Sequence, residues 1–344
     1  MKKIFKLFVI FISLILNSCS DNPLTDDDKP GRRDYTWTVD TLDGLNSPRF
    51  RMWGSSPSDI WATTTSNWNV SITHFNGSQW TSYGVPGLIQ PNGVYGFTSD
   101  YILIGAENGQ IWRFDGNSWN LFAELTKDGR NDIVFNDIWG DSPDNFFAFG
   151  AYPDEYGYNN SVIAHFNNRT WIMFNTNELY GIVTDLYKNF SDNRIYLVVN
   201  GGRNLTDSTQ VYEYTQEKYI KLYGNIWTKG LQADISLINN EVYFILGNEI
   251  AKRKNNQFQT MLKVDNPNFY QRIWGRNSKD IFLLMTDGLT HFNGSDIEYL
   301  FHFTFGQATP WTQIYGAALF ENEVFFLVYE PPTGLSLVYH GILK

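Results

Sequence analysis

Residues 51–62 read RMWGSSPSDIWA, and the same pattern of apolar and turn residues returns several times along the chain. Clear copies are FNDIWGDSPDNFFAF (135–149) and QRIWGRNSKDIFLL (271–284), and weaker copies begin at residues 93, 184, 236 and 313. Each copy has an apolar run, a short turn that ends in an acid or amide, and a second apolar run. The pattern predicts two antiparallel strands joined by a tight turn.

A second half follows most copies and contains an Asn-Gly or Asp-Gly turn or a related one. It reads ITHFNGSQW (72–80), IWRFDGNSW (111–119), IAHFNNRTW (163–171), VYEYTQEKY (211–219) and LTHFNGSDI (289–297). Such a segment predicts a third strand, a hairpin turn and a fourth strand. The repeat length from Trp53 to Tyr315 is about 44 residues, which is the length of a four-stranded β-propeller blade.

The two ends of the chain predict how the propeller closes. The seventh copy ends at VYHGILK after three strands, while YTWTVDTL (35–42) alternates like an unpaired strand. We therefore predict an all-β protein, a single propeller of seven four-stranded blades whose last blade is completed by the N-terminal strand. Six or eight blades remain alternatives because the copies between residues 184 and 262 have diverged.

These repeats resemble a family of bacterial propeller repeats of the form W-G-S-S-P-S-D-V-W-A followed by I-L-H-Y-D-G-x-x-W. The resemblance covers nearly all of the chain after residue 34. It implies a propeller of the kind found in secreted and lipid-anchored proteins. It leaves the function open, because propellers include binding modules and enzymes.

The N-terminus predicts export and lipid anchoring. Residues 1–18 combine a Lys-rich start with an apolar run, as in a secretory signal, and the box LNSC ends at Cys19, the only cysteine. The box resembles that of bacterial lipoproteins, which implies cleavage before Cys19 and its modification by palmitate and related chains. We predict a signal peptide (1–18), a flexible acidic tether (19–33) and a propeller domain (34–344).

The predicted location is the outer membrane. An acidic Ser-Asp stretch after Cys19 resembles lipoprotein export signals, which suggests exposure at the cell surface. The predicted partners are the membrane, through the lipid, and a glycan or protein ligand. The net charge of -10 argues against nucleic acid, which requires a basic surface. We expect a monomer without a cofactor or metal.

The acids and histidines of the repeat are interpreted as structural. Asp59 is matched in other copies by Asp100, Asn145, Glu241, Asp280 and Glu323, and each of these side chains can fix a turn. Three histidines share one repeat position in different blades, so they would not converge on a metal ion: His74, His165 and His291. No catalytic residue is predicted.

Loops that do not repeat are the predicted site of function. Antiparallel order places the second-to-third-strand loops, such as TTTSNWN (63–69) and YPDEYGYNN (152–160), on one end of the propeller with the inter-blade connections. We call this end the loop face and the opposite end the turn face. The candidate ligand-binding residues of the loop face are Trp68, Tyr152, Tyr156, Tyr158, Arg203, Trp227 and Trp311.

The predicted function is a non-catalytic binding or adhesion module for a glycan or protein. The alternative is a polysaccharide-active hydrolase or lyase with its site at the channel mouth, which convergent carboxylates would favour. Two short segments, around Thr41 and Ser208, resemble the D-S/T-x sites that some bacteria O-glycosylate.

Overall fold

The structure is a computed structural model that describes residues 30–44, 46–65, 67–201, 208–226, 232–303 and 312–344. The predicted signal peptide, most of the predicted tether and Cys19 lie outside these residues. Within them, no helix is long and apolar enough to cross a membrane.

The strands form seven four-stranded antiparallel sheets, here called blades. The outer strand of blade seven is β1 (Tyr35–Thr41). Blade one contains β2 (Arg49–Ser56), β3 (Asp59–Thr64), β4 (Ile72–Phe75) and β5 (Trp80–Tyr83). Blade two contains β6 (Gly93–Thr98), β7 (Tyr101–Gly105), β8 (Gln110–Phe114) and β9 (Trp119–Glu124). Blade three contains β10 (Val134–Ser142), β11 (Asn145–Pro153), β12 (Asn159–Asn167) and β13 (Thr170–Met173).

The remaining blades follow the same order. Blade four contains β14 (Ile182–Asn189), β15 (Arg194–Asn200), β16 (Ser208–Thr215) and β17 (Lys218–Ile226). Blade five contains β18 (Ala233–Ile238), β19 (Glu241–Leu246), β20 (Glu249–Lys254) and β21 (Gln257–Lys263). Blade six contains β22 (Phe269–Asn277), β23 (Asp280–Met285), β24 (Gly288–Phe292) and β25 (Ile297–His302). Blade seven adds β26 (Gln313–Leu319), β27 (Glu323–Glu330) and β28 (Leu335–Leu343) to β1.

The predicted seven-bladed propeller and its mode of closure are confirmed. β1 pairs antiparallel with β28, from Tyr35 opposite Leu343 to Thr41 opposite Leu337. The blade count also excludes the six- and eight-bladed alternatives. The last blade therefore contains strands from both ends of the described chain, which leaves the ring without a gap.

The core lies between adjacent blades, because each sheet packs its face on the next. The second strand of a blade is covered on both faces and is apolar almost throughout, as in β23, whose six residues are all buried. Blades six and seven, for example, share Phe282, Leu284, Phe326 and Val328, each at most 1% exposed. Fourth strands form the rim and alternate between half-buried and exposed residues.

A side-chain contact joins the first turn of each blade to its third strand. In blade one, His74 Nε2 lies 2.7 Å from Asp59 Oδ1, and the His74 ring stacks on Trp61 with 3.9 Å between centroids. Trp61 Nε1 also donates to Asp59. We call this arrangement the turn clasp. It recurs with the same 2.7 Å distance in three other blades, as His165–Asn145, His291–Asp280 and His340–Glu323.

The other three blades build the clasp from different residues at the same register. Lys252 pairs with Glu241 in blade five at 2.5 Å, and blade four reverses the charges, with Arg194 at the turn and Glu213 on the third strand, 3.2 Å apart. In blade two Arg113 stacks over the Tyr101 ring at 3.8 Å. Tyr101 and not Asp100 therefore occupies the Asp59 position, so the sequence match of Asp100 was off by one residue.

The described part of the chain begins on the turn face. Gly31 N donates to the carbonyl of Lys279, and the Arg33 guanidinium contacts the Asp296 carboxylate at 2.5 Å. Both partners belong to turns of blade six. Residues 31–33, which the sequence assigned to the tether, thus lie against the end of the propeller that is opposite the loop face.

The turn clasp of blade six provides a test of stability. Asp280 accepts from the fully buried His291 and also pairs with the partly buried Arg276, so Asp280→Ala leaves His291 buried without its carboxylate partner. We expect the free energy of unfolding to fall by about 3–5 kcal/mol. Asp100→Ala is the matched control, because the Asp100 side chain is exposed and accepts from its near neighbour Thr98, so the substitution should cost less than about 1 kcal/mol. Equal losses in urea denaturation would contradict the structural role of the clasp.

Candidate functional site

Three of the predicted tyrosines meet in one depression on the loop face of blade three. The depression has a volume of about 530 Å³ and is lined by Arg130, Tyr152, Asp154, Glu155, Tyr156, Tyr158 and Asn160. Asp154 shapes its loop by accepting from the backbone N–H groups of Tyr156 and Tyr158, both at 2.9 Å. Gly157 completes the turn with φ of +81°, a conformation that favours glycine.

The depression has one basic and two acidic side chains around its aromatic rings. Arg130 lies over the Tyr152 ring at 5.6 Å and pairs with Asp132 at 2.6 Å. Burial raises the pKa of Tyr152, which therefore stays protonated near neutral pH. Tyr156 is 77% exposed, although its aromatic ring is a large apolar surface. Its position exposes a flat ring beside polar groups.

Trp68 is also exposed, but it belongs to a different part of the loop face. It begins a short 3-10 helix (Trp68–Val70) in blade one, where Asn67 caps the turn by accepting from Asn69 N. Its side chain is 63% exposed. Trp68 does not line the blade-three depression, so the structure separates it from the predicted tyrosines.

The remaining candidates are placed as follows. Arg203, Trp227 and Trp311 lie outside the described residues. Thr41 is exposed at the end of β1, whereas the Ser208 hydroxyl is partly buried and donates to the Gly201 carbonyl at 2.9 Å. Both positions remain predictions as O-glycosylation sites.

The central channel holds charged residues that the sequence reasoning missed. The strand register places one residue per blade at the same height on the innermost strands: Arg51, Gly93, Asp137, Asp185, Asp234, Arg272 and Gly316. The five charged side chains line one cavity of about 230 Å³. Because they lie in the first half of their strands, they are at the loop-face end of the channel.

β-Bulges and glycine direct these side chains inward. A register irregularity directly precedes Arg51, Asp137 and Asp185, and such bulges re-aim the next side chain. Gly93 leaves space at the seam between blades, since a Cβ there would lie 2.5 Å from the Asp137 Cα. Arg51 reaches past blade two to bind Asp137, with 2.6 Å between Nε and Oδ2.

The channel contains two ion pairs and a third carboxylate. Arg51 pairs with Asp137, and Arg272 pairs with Asp234 at 3.2 Å. Each of these two aspartates also accepts from the next backbone N–H of its own strand. Among the described residues, Asp185 has neither a hydrogen bond nor an ion pair at contact distance, although Arg51 attracts it through space.

Crowding of carboxylates changes the protonation of the channel. Burial raises the pKa of Asp137 to about 6, against the attraction of Arg51. Burial and the charge of Asp185 together raise the pKa of Asp234 to about 7. Burial and all three carboxylates hold the pKa of Tyr187 well above its usual range. The channel therefore can hold and release protons near neutral pH.

The described residues contain no group of three or more His, Cys, Asp or Glu side chains placed to hold a metal ion. This applies to the clasp histidines and to the channel aspartates alike. The carboxyl groups of the channel can recognise a positive charge and transfer protons.

A signal for the channel was present in the sequence. In five copies one column of the first strand holds a charged residue, whereas the two columns that follow it are mostly apolar; the charged residues are Arg51, Asp137, Asp185, Asp234 and Arg272. A column that is charged but not repeated indicates a position outside the scaffold. Aligning all copies column by column would have identified it.

Comparison with known proteins supports the fold and not a function. No protein-family model matches the chain, and no curated protein matches it in sequence. Similar solved structures include YCF48 bound to D1 peptide, with 15% identity, a TM-score of 0.59, and coverage of 90% of this chain and 99% of that one. An inactive virginiamycin B lyase from Staphylococcus aureus with quinupristin has 13% identity, a TM-score of 0.61, and coverage of 90% and 100%. The WD40 propeller of Doa1 has 9% identity, a TM-score of 0.58, and coverage of 90% and 98%.

The raised pKa values predict a pH dependence that Asp185 controls. Asp137 and Asp234 bind protons more tightly in the folded than in the unfolded chain, so their contribution to stability is complete below about pH 4 and is lost as pH rises through about 6 and 7. Asp185→Asn removes a repelling charge from the ionised forms. As the pH rises from 5 to 8, we expect the free energy of unfolding of this variant to increase by roughly 1–2 kcal/mol relative to that of the wild type.

The measurement is urea denaturation of both proteins across this pH range. Asp265→Asn is the control, because its carboxylate is 77% exposed and lies outside the channel, so its difference from the wild type should not change with pH. A constant difference for Asp185→Asn would show that the three carboxylates do not interact.

Proposed function

We propose that this β-propeller is a binding module that holds a glycan or protein ligand on its loop face. The observation that carries the proposal is the blade-three depression, in which Tyr156 is 77% exposed above an ordered turn. Exposed aromatic rings beside charged and amide groups suit both stacking on sugars and anchoring of a protein.

The scaffold supports this proposal because the depression sits on loops held by rigid strands. The ends of the loop are β11 and β12, which pair over nine residues up to Pro153 opposite Asn159. Two of the structurally similar propellers contain a bound ligand, a peptide in one and quinupristin in the other. Binding on a fixed loop scaffold also costs little conformational entropy.

The proposal includes anchoring of the protein to the outer membrane by lipid on Cys19. The lipoprotein-like LNSC box supports anchoring, and the entry of the chain at the turn face supports an orientation. A chain attached at the turn face would direct the loop face away from the membrane. Ligands from outside would then meet the loop face first.

A second candidate function is a polysaccharide hydrolase or lyase. The three channel aspartates around one cavity favour it, because Asp137 and Asp234 can each carry a proton near neutral pH. The test is release of reducing ends or unsaturated products from a polysaccharide panel. Product formation that Asp137→Asn or Asp234→Asn abolishes would favour the enzyme, and absence of product across the panel would reject it for those substrates.

The binding function is tested by a glycan array and by capture of envelope proteins with the purified protein. For the ligand recovered, we expect Tyr156→Ala to weaken binding about tenfold or more, the loss typical of an aromatic anchor. Ile220→Ala is the matched control, since Ile220 is 47% exposed but lies on the outer strand β17, away from the depression.

Equal affinities of wild type and Tyr156→Ala would reject the depression as the binding site. Trp68→Ala tests whether the ligand extends to blade one. Loss of binding in both tyrosine and tryptophan variants would indicate a ligand that spans much of the loop face.

A further inference from the structure

We propose that the channel cavity binds one positively charged group, the ammonium or guanidinium head of a ligand, against the Asp185 carboxylate. When all three are ionised, Asp137, Asp185 and Asp234 carry one negative charge more than the two guanidinium groups, of Arg51 and Arg272, that line the same cavity. The excess is local, because each guanidinium is already paired with another aspartate. Among the residues that the structure describes, Asp185 is thus the channel carboxylate without a cation at contact distance.

The cavity has room for such a head group. Its volume of about 230 Å³ far exceeds the ~10–15 Å³ that one water molecule requires. Besides the charged groups, Tyr95, Tyr187 and Tyr315 line it. Aromatic walls and a carboxylate together suit an alkylammonium or guanidinium group, which contacts the rings and donates hydrogen bonds to the oxygen atoms.

The two ion pairs hold the carboxylates on either side of Asp185 in place. Arg51 and the Ile138 N–H fix the Asp137 carboxylate, and Arg272 and the Ile235 N–H fix that of Asp234. The two fixed carboxylates flank Asp185 in neighbouring blades and repel it. A bound cation would relieve this repulsion, and it would also lower the pKa of Asp137 and Asp234, so binding near pH 6.5 should release protons.

The charged group has two possible sources, which share this chemistry. It can be a Lys or Arg side chain of a protein bound on the loop face, because the cavity lies at the loop-face end of the channel; this source rests on the proposed binding function. It can also be a free amine, which does not require a loop-face ligand. The first source would restrict the ligand class to proteins.

The test uses N-acetyl-lysine methylamide and N-acetyl-arginine methylamide as probes, with the uncharged N-acetyl-norleucine methylamide as their analogue. Calorimetry is run at pH 6.5 in two buffers of different ionisation enthalpy, which measures proton release. We expect the cationic probes to bind with proton release and the norleucine probe not to bind. Asp185→Asn should weaken binding about tenfold or more, as expected for loss of a charge-assisted hydrogen bond.

Two further variants test whether binding depends on the charge at position 185. Asp185→Glu retains the carboxylate and should keep binding within a few-fold, while Asp100→Asn removes a carboxylate from the exposed turn face and should change nothing. Equal binding of the norleucine and lysine probes, no binding of either cation, or unchanged affinity in Asp185→Asn would overturn the proposal.

The source is then decided with the ligand from the loop-face screen. If Asp185→Asn weakens binding of that ligand as Tyr156→Ala does, the positively charged group belongs to the protein ligand. If only the small probes respond, the source is a free amine. If the screen recovers no ligand, the proposed binding function fails, whereas the probe titrations still decide the channel site.

Discussion

The pairing of β1 with β28 closes the ring, and the other features depend on that closure. Once seven sheets surround one axis, their first strands become the walls of a channel and their second strands are enclosed between neighbours. Enclosure explains why second strands are apolar almost throughout. The channel explains why a residue such as Asp185, which is remote in sequence from Arg51, shares a cavity with it.

The repeating part of the fold could be predicted from the sequence because its causes are local. A turn residue such as Asp59 and a partner such as His74 recur at fixed spacing, and the structure joins them by a 2.7 Å contact. The divergent blades four and five were harder to recognise because they keep the contact but change its chemistry. Arg194 and Glu213 reverse the charges of the usual pair, so a motif based on residue identity misses them.

The candidate site was predicted only in part. The Tyr152–Tyr158 loop could be recognised because aromatic residues in a long loop have no sheet to pack against, and the structure gathers three of its tyrosines. Sequence could not show that Trp68 lies apart from them, since loop conformation depends on local caps such as Asn67. An alignment of all copies would have identified the channel charges but not the pairing of Arg51 with Asp137, which requires that Gly93 of the intervening blade leave space.

The entry of the chain at the turn face has a mechanical consequence. A pull on the residues before Pro30 would run along β1 from Tyr35, while a ligand held on the loop face would pull the opposite end of the propeller. The load would then act parallel to the strands, so the residue pairs from Tyr35–Leu343 to Thr41–Leu337 would share it in shear and not open one by one. The strand that closes the ring would thus also be the strand that resists detachment under tension.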